Sequence, residues 1–118
     1  MSKYIIVRTH FEGIHNWPDC PHEDVAFLRN KHRHIFHVEV KIEVSHNNRD
    51  LEFIRVKRAI NSFIQTSLGK NLSNDCIELG SMSCEDIAEL IIHKFMNWPI
   101  RSVSIFEDNE NGALIEVD

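Results

Sequence analysis

His32-Arg33-His34-Ile35-Phe36-His37-Val38-Glu39-Val40-Lys41-Ile42-Glu43-Val44 is the stretch whose reading decides the fold. From Phe36 to Val44 apolar and polar residues alternate, the period-two pattern of a strand with one buried face. Continued backwards, the alternation puts His32 and His34 on the face that holds Phe36, Val38, Val40, Ile42 and Val44. Two imidazoles side by side at the mouth of an apolar face form a ready pair of metal ligands.

Upstream, Lys3 to Phe11 alternates Ile5, Val7, Thr9 and Phe11 against Tyr4, Ile6 and Arg8, and reads as a first strand with His15 just beyond it. Glu12 to Lys31 contains Gly13, Pro18 and Pro21 and reads as a long loop, with one short turn around Val25 to Leu28. Loops of that length in compact domains are usually functional or disordered.

Downstream, Phe53, Val56, Ile60, Phe63, Ile64 and Leu68 follow helical spacing, and Gly69 stands where a capping glycine belongs. Lys70 to Met82 is polar and irregular. A second helix is expected to open at Ser83, with Asp86 completing a capping box, Ile87, Leu90, Ile91 and Phe95 as its buried stripe, and Pro99 as its stop. Ser102 to Glu107 predicts a third strand, Asp108 to Gly112 a turn with an Asn-Gly signal, and Ala113 to Val117 a fourth strand. The order β-β-α-α-β-β in one domain over residues 1–118 implies the α+β class, with a four-stranded antiparallel sheet and two helices on one face. Such a sheet has two open edges, which sharing between subunits would close, so a symmetric oligomer is expected.

Composition narrows the functional classes. The net charge is −5 without a lysine or arginine run, which argues against nucleic acid as a partner. Arg55, Lys57 and Arg58 cluster, but helical spacing makes them a solvated face. Cys20, Cys76 and Cys84 are odd in number and irregularly spaced, which suits free thiols in a reducing compartment. The opening apolar run, Tyr4 to Val7, is too short for a signal peptide or a membrane span; the expectation is a cytoplasmic protein without membrane contact. Six of the eight histidines lie between His10 and His37. Catalytic zinc commonly takes three protein ligands and keeps one open position, a pattern that His15, His32 and His34 would satisfy. The alternative is a polar strand start with solvated imidazoles.

Several motifs, taken in order, resemble the 6-pyruvoyltetrahydropterin synthases and the related 6-carboxytetrahydropterin synthases of the T-fold. They are Phe11-Glu12-Gly13-Ile14-His15 after the first strand, His32-Arg33-His34 opening the second, Glu52-Phe53 leading into the first helix, Ser83-Cys84-Glu85 with Ile87-Ala88 opening the second helix, and Glu107 ending the third strand. The resemblance implies zinc (Zn2+) held by His15, His32 and His34. It also implies sheets joined between subunits into a barrel, a trimer or hexamer, and a pterin or purine-like ligand between subunits near Ser83 and Cys84. Glu107 would take the ligand's N–H-rich edge, a bidentate match for a carboxylate. The implied activity is that of a lyase acting on a dihydroneopterin triphosphate-like compound.

The chain departs from that pattern at three places. Arg33 stands for the family's central glycine, on the opposite strand face. No cysteine lies between Val25 and Lys31, where the family's base cysteine falls, and the aspartate-histidine pair expected between the helices is absent around Leu68 to Leu72. Substitutes for the missing base are available in the long loop: Cys20, His22, Glu23 or Asp24. Cys84, in the first turn of the second helix, is expected to have its pKa lowered by the helix dipole, although a passive role fits it better. The sequence thus carries a family-type lyase, an enzyme with a different reaction on a purine-like compound, and a non-catalytic zinc- and pterin-binding protein as competing readings.

Overall fold

The computed structural model describes residues 1–73 and 75–118. Strand β1 (Lys3–His15) and strand β2 (His32–Val44) pair antiparallel along their full length, from Lys3 opposite Val44 to His15 opposite His32. The helix α1 (Phe53–Phe63) runs on into a π-helical turn, Ile64–Leu68. A short strand β3 (Lys70–Asn71) and strand β4 (Cys76–Gly80) follow, then α2 (Cys84–Lys94), β5 (Ile100–Glu107) and β6 (Asn111–Glu116).

The α+β class holds, but the sheet has six strands, in the order β3-β4-β1-β2-β5-β6, and it is mixed. Strand β4 lies parallel to β1, pairing Glu12 with Cys76 and Ile14 with Glu78. The expected four-stranded antiparallel sheet is therefore too small. The physical reason is that β4 is only five residues long, with Ile77 and Leu79 buried around Glu78, a run too brief for its periodicity to stand out.

The first strand also reaches four residues further than expected. Gly13 reads as a breaker, yet it continues the alternation, with Val7, Phe11 and His15 buried on the same side. A β-carbon at Gly13 would lie 2.8 Å from Leu79 Cδ1 and 2.8 Å from Phe36 Cε2. The glycine is there because the Phe36 ring crosses it, and it breaks nothing. Gly69 likewise serves close approach, since its missing β-carbon would fall 2.4 Å from the Glu78 carbonyl oxygen.

One face of the sheet carries Val7, Phe11, Phe36, Val38, Val40, Ile42, Val103 and Ile105, all buried, and the helices cover it with Val56, Ile60, Ile64, Ile87 and Ile91. Burying a side chain of this size stabilises by about 1.5–3 kcal/mol, which makes this contiguous cluster the main source of stability. Both helices start as their sequences specify. Glu52 accepts from Ile54 N–H at the start of α1, and Ser83 with Asp86 forms a reciprocal capping box at α2.

The turn between β5 and β6 differs from the expected Asn-Gly turn. Asp108 and Asn109 take the left-handed conformation (φ 53° and 58°), and Asn111 and Gly112 already belong to β6. Asp and Asn tolerate that region because their short polar side chains find local hydrogen bonds. Among the described residues no helix is long and apolar enough to cross a membrane.

Candidate metal centre

The three central strands end together, and their ends carry the site. His15 closes β1, His32 and His34 open β2, and Glu107 closes β5, all on the core-facing side. The Phe36 ring forms the floor, edge-on to His15 (centroids 5.2 Å apart) and to His34 (5.7 Å). The three imidazoles converge, with centroid separations of 4.5 Å (His15–His32), 5.5 Å (His15–His34) and 5.1 Å (His32–His34). One nitrogen from each lies within 4.8 Å of the others. The cluster could hold a metal ion.

Each ring is held by an oxygen at Nδ1. His15 Nδ1 lies 2.7 Å from the Met82 carbonyl, His32 Nδ1 2.9 Å from the Asn30 carbonyl, and His34 Nδ1 2.7 Å from Asp108 Oδ2. A carbonyl or carboxylate oxygen only accepts, so all three Nδ1 atoms must carry the proton. Each neutral ring is thereby left with its lone pair on Nε2. Metal-binding histidines are ordinarily fixed in this way by an acceptor at the other nitrogen.

His15 gives the fit its sharpest test. Its Nε2 is buried and has no hydrogen-bond partner, although Glu107 Oε2 stands 3.1 Å away. A buried polar atom left unpaired costs about 1–3 kcal/mol, and with His15 neutral two lone pairs face each other here. A cation between them would satisfy both. The donor set therefore fits a divalent ion of the kind that prefers imidazole, zinc among them.

Asp108 was not among the expected site residues; the sequence shows it only as part of a turn. Its backbone N–H donates to the Ile35 carbonyl (2.7 Å), Oδ1 accepts from Ile35 N–H (2.9 Å), and Oδ2 accepts the hydrogen bond from His34 Nδ1. The hydrogen bond from His34, with that from Ile35 next, holds its carboxyl below the usual range. The Met82 carbonyl was equally invisible, because it is brought to His15 by β4, the strand that the periodicity did not reveal.

A cavity of about 590 Å³ adjoins the cluster, walled by His15, His32, Glu107, Trp17, Leu28 and the start of α2. Ser83 and Cys84 line it as expected. The Ser83 hydroxyl is engaged, however, accepting from Asp86 N–H at 3.1 Å. Cys84 overturns the dipole expectation. Burial foremost, then the charges of Glu107 and Glu85, pushes its thiol up to about 12.

The loop candidates lie elsewhere. Cys20, His22, Glu23 and Asp24 do not line the cavity. Cys20 is buried within its own loop, its thiol near the His22 and Val25 carbonyls (3.7 and 3.9 Å). His22 packs edge-on to Trp17, and Glu23 pairs with Arg29 at 2.9 Å beside the 3-10 turn Glu23–Arg29. The loop is tied down at both ends, Trp17 N–H donating to Leu28 (2.7 Å) and Asn16 Nδ2 to the Arg29 carbonyl (2.9 Å). Arg33 points to the opposite face as expected, where its Nε donates to Glu12 at 3.1 Å.

Fold and site together define an α+β protein with a three-histidine candidate metal centre beside a small-molecule-sized cavity. No family model and no curated protein matches the chain. Its fold is similar to the crystal structure of an uncharacterized protein from Wolinella succinogenes, with a TM-score of 0.68 and 13% identity over 100% of this chain and 99% of that one. At this identity the likeness speaks for the fold alone.

Proposed function

We propose that this chain is a zinc-dependent enzyme of the 6-pyruvoyl/6-carboxytetrahydropterin synthase type, acting on a reduced pterin or a related purine-like compound. The observation that carries the reading is the convergence of three imidazoles, each with its proton fixed on Nδ1, beside a cavity that also holds Glu107. His15, His32 and His34 would hold the ion, through Nε2. Zinc, when bound, supplies a Lewis acid that polarises a ligand oxygen and makes neighbouring protons more acidic.

The chain's own side chains do the positioning. Glu107 presents a half-exposed carboxylate suited to paired N–H donors of a heterocycle. Trp17, Leu28 and Met82 offer apolar surface to a flat ring. The ligand pocket would be completed by a neighbouring subunit, with sheets joined edge to edge into a trimer or hexamer.

A second reading is favoured by one specific observation. The thiol nearest the cavity, Cys84, stays protonated, and Cys20 is enclosed by its own loop, so no thiolate stands ready to move a proton. On that reading the protein binds zinc and a pterin or purine-like ligand without converting it. Elemental analysis of the purified protein and of its His32→Ala variant tests the shared premise, and an unchanged zinc load would remove it. Incubation with dihydroneopterin triphosphate, followed by mass spectrometry, separates the two. New products support the enzyme, and retention of intact ligand supports the binding protein.

A further inference from the structure

The geometry points to Glu107 as a fourth protein ligand, which closes the metal centre while the cavity holds no small molecule. The inference rests on the metal reading above and adds to it. Tetrahedral zinc with bonds of about 2.0–2.1 Å places its donor atoms roughly 3.3–3.4 Å apart. The two carboxylate oxygens of Glu107 stand on either side of that value, Oε2 3.1 Å from His15 Nε2 and Oε1 3.7 Å from His34 Nε2.

A bare hydrogen bond does not account for the arrangement. His15 donates its Nδ1 proton to Met82, and its Nε2 forms no hydrogen bond with the carboxylate despite the short separation. A metal ion shared by the buried Nε2 and the partly exposed carboxylate would satisfy both, whereas a proton on Nε2 would give an ion pair without a hydrogen bond. The strand framework aims the carboxylate there, because Glu107 pairs with Phe36 in register and so follows the ring that floors the site.

The consequence is a displaceable ligand. A catalytic three-histidine site keeps its fourth position open, whereas here that position is taken by the protein itself. A heterocycle with adjacent N–H donors would draw the carboxylate off the ion and expose the position to the ligand's own oxygen. Recognition and opening of the metal would then be one event, made by a single side chain.

The test uses the full chain with zinc or cobalt(II) alone. Chelator competition should show the Glu107→Gln variant binding zinc about 10-fold or more weakly than wild type. The cobalt(II)-loaded proteins, followed by their visible spectra, should respond oppositely to thiocyanate. The Glu107→Gln protein should bind it at least tenfold more tightly than wild type, an effect that general loss of structure would not produce. Equal zinc affinity and equal thiocyanate affinity in both proteins would overturn the role of Glu107 while leaving the three-histidine centre standing. A wild type that takes up no zinc would instead overturn the centre itself. Should Glu107→Gln fail to fold, thiocyanate on the wild type alone decides. An unchanged spectrum supports a closed site, and a spectral change at low thiocyanate concentration refutes it.

Discussion

Asp108 holds a left-handed backbone (φ 53°), a conformation that costs most non-glycine residues roughly 1–2 kcal/mol and an aspartate less. Strain of that kind persists where surrounding contacts impose it, and here three hydrogen bonds to β2 do so. The one that matters for chemistry fixes the proton of His34 on Nδ1. Asp108→Asn is therefore the most revealing substitution in the chain. With its oxygen retained by Ile35 N–H, the amide would present an N–H donor to His34 Nδ1 and drive the proton to Nε2. Zinc affinity should fall about 10–100-fold, with the far-ultraviolet circular dichroism unchanged. Wild-type affinity in that variant would show that the ring's proton is not set by Asp108. Gly13 is the complementary case, a residue chosen for what it lacks. Gly13→Ala would push a methyl into Phe36 and Leu79, each within 2.8 Å of it. It should cost about 1–3 kcal/mol in urea unfolding, because both neighbours are packed and neither can swing clear.

At the scale of elements, what could be read from the sequence followed from how long each pattern runs. The second strand alternates over thirteen residues, so the strand itself and the shared face of His32 and His34 were legible at once. Helix α2 announced itself through Ser83 and Asp86, and both halves of the capping box are formed. Ser83→Ala should therefore lower stability by about 0.5–2 kcal/mol and loosen the α2 start that walls the cavity. A thermal melt would detect this, and an unchanged midpoint would mean that the cap is dispensable. Strand β4 was not legible, since five residues cannot display a period and its partner, β1, lies more than sixty positions upstream. That omission hid half of the site's support. His15 was recognisable as a candidate ligand, but the carbonyl that orients it arrives with the link from β4 to α2. The same limit explains Asp108, whose side chain reaches β2 across a separation of 73 residues.

The molecule as a whole is flatter and more exposed than its mass requires. Its principal extents are 50 × 31 × 22 Å and its radius of gyration is 15.3 Å, against about 13.5 Å for a compact chain of this length. Its accessible surface is 7572 Å², whereas a typical monomer of 13.8 kDa exposes about 6,600 Å². The excess is not spread evenly. Strand β6 is the sheet's outermost long strand, and Leu114 in its middle is 54% exposed, as are Ile6 (43%), Ile35 (41%) and Tyr4 (39%) to lesser degrees. Those four side chains alternate with the buried set and so project from the face that the helices leave bare. An exposed leucine in the middle of an unpaired edge strand invites another strand, and soluble proteins blunt such edges with charge unless they use them. Here the edge strand carries only one charged residue, Glu116, at its end. The purified protein should accordingly run in light scattering as a multiple of 13.8 kDa. Leu114→Lys should shift it toward the monomer, because a lysine at mid-edge opposes strand addition. The position is solvated in the single chain, so the variant should keep its fold and whatever metal affinity the wild type has. If the wild type itself sediments as a single chain at micromolar concentration, the edge is idle and the subunit-completed pocket falls with it. The metal centre would survive that outcome, since all its donors come from one chain.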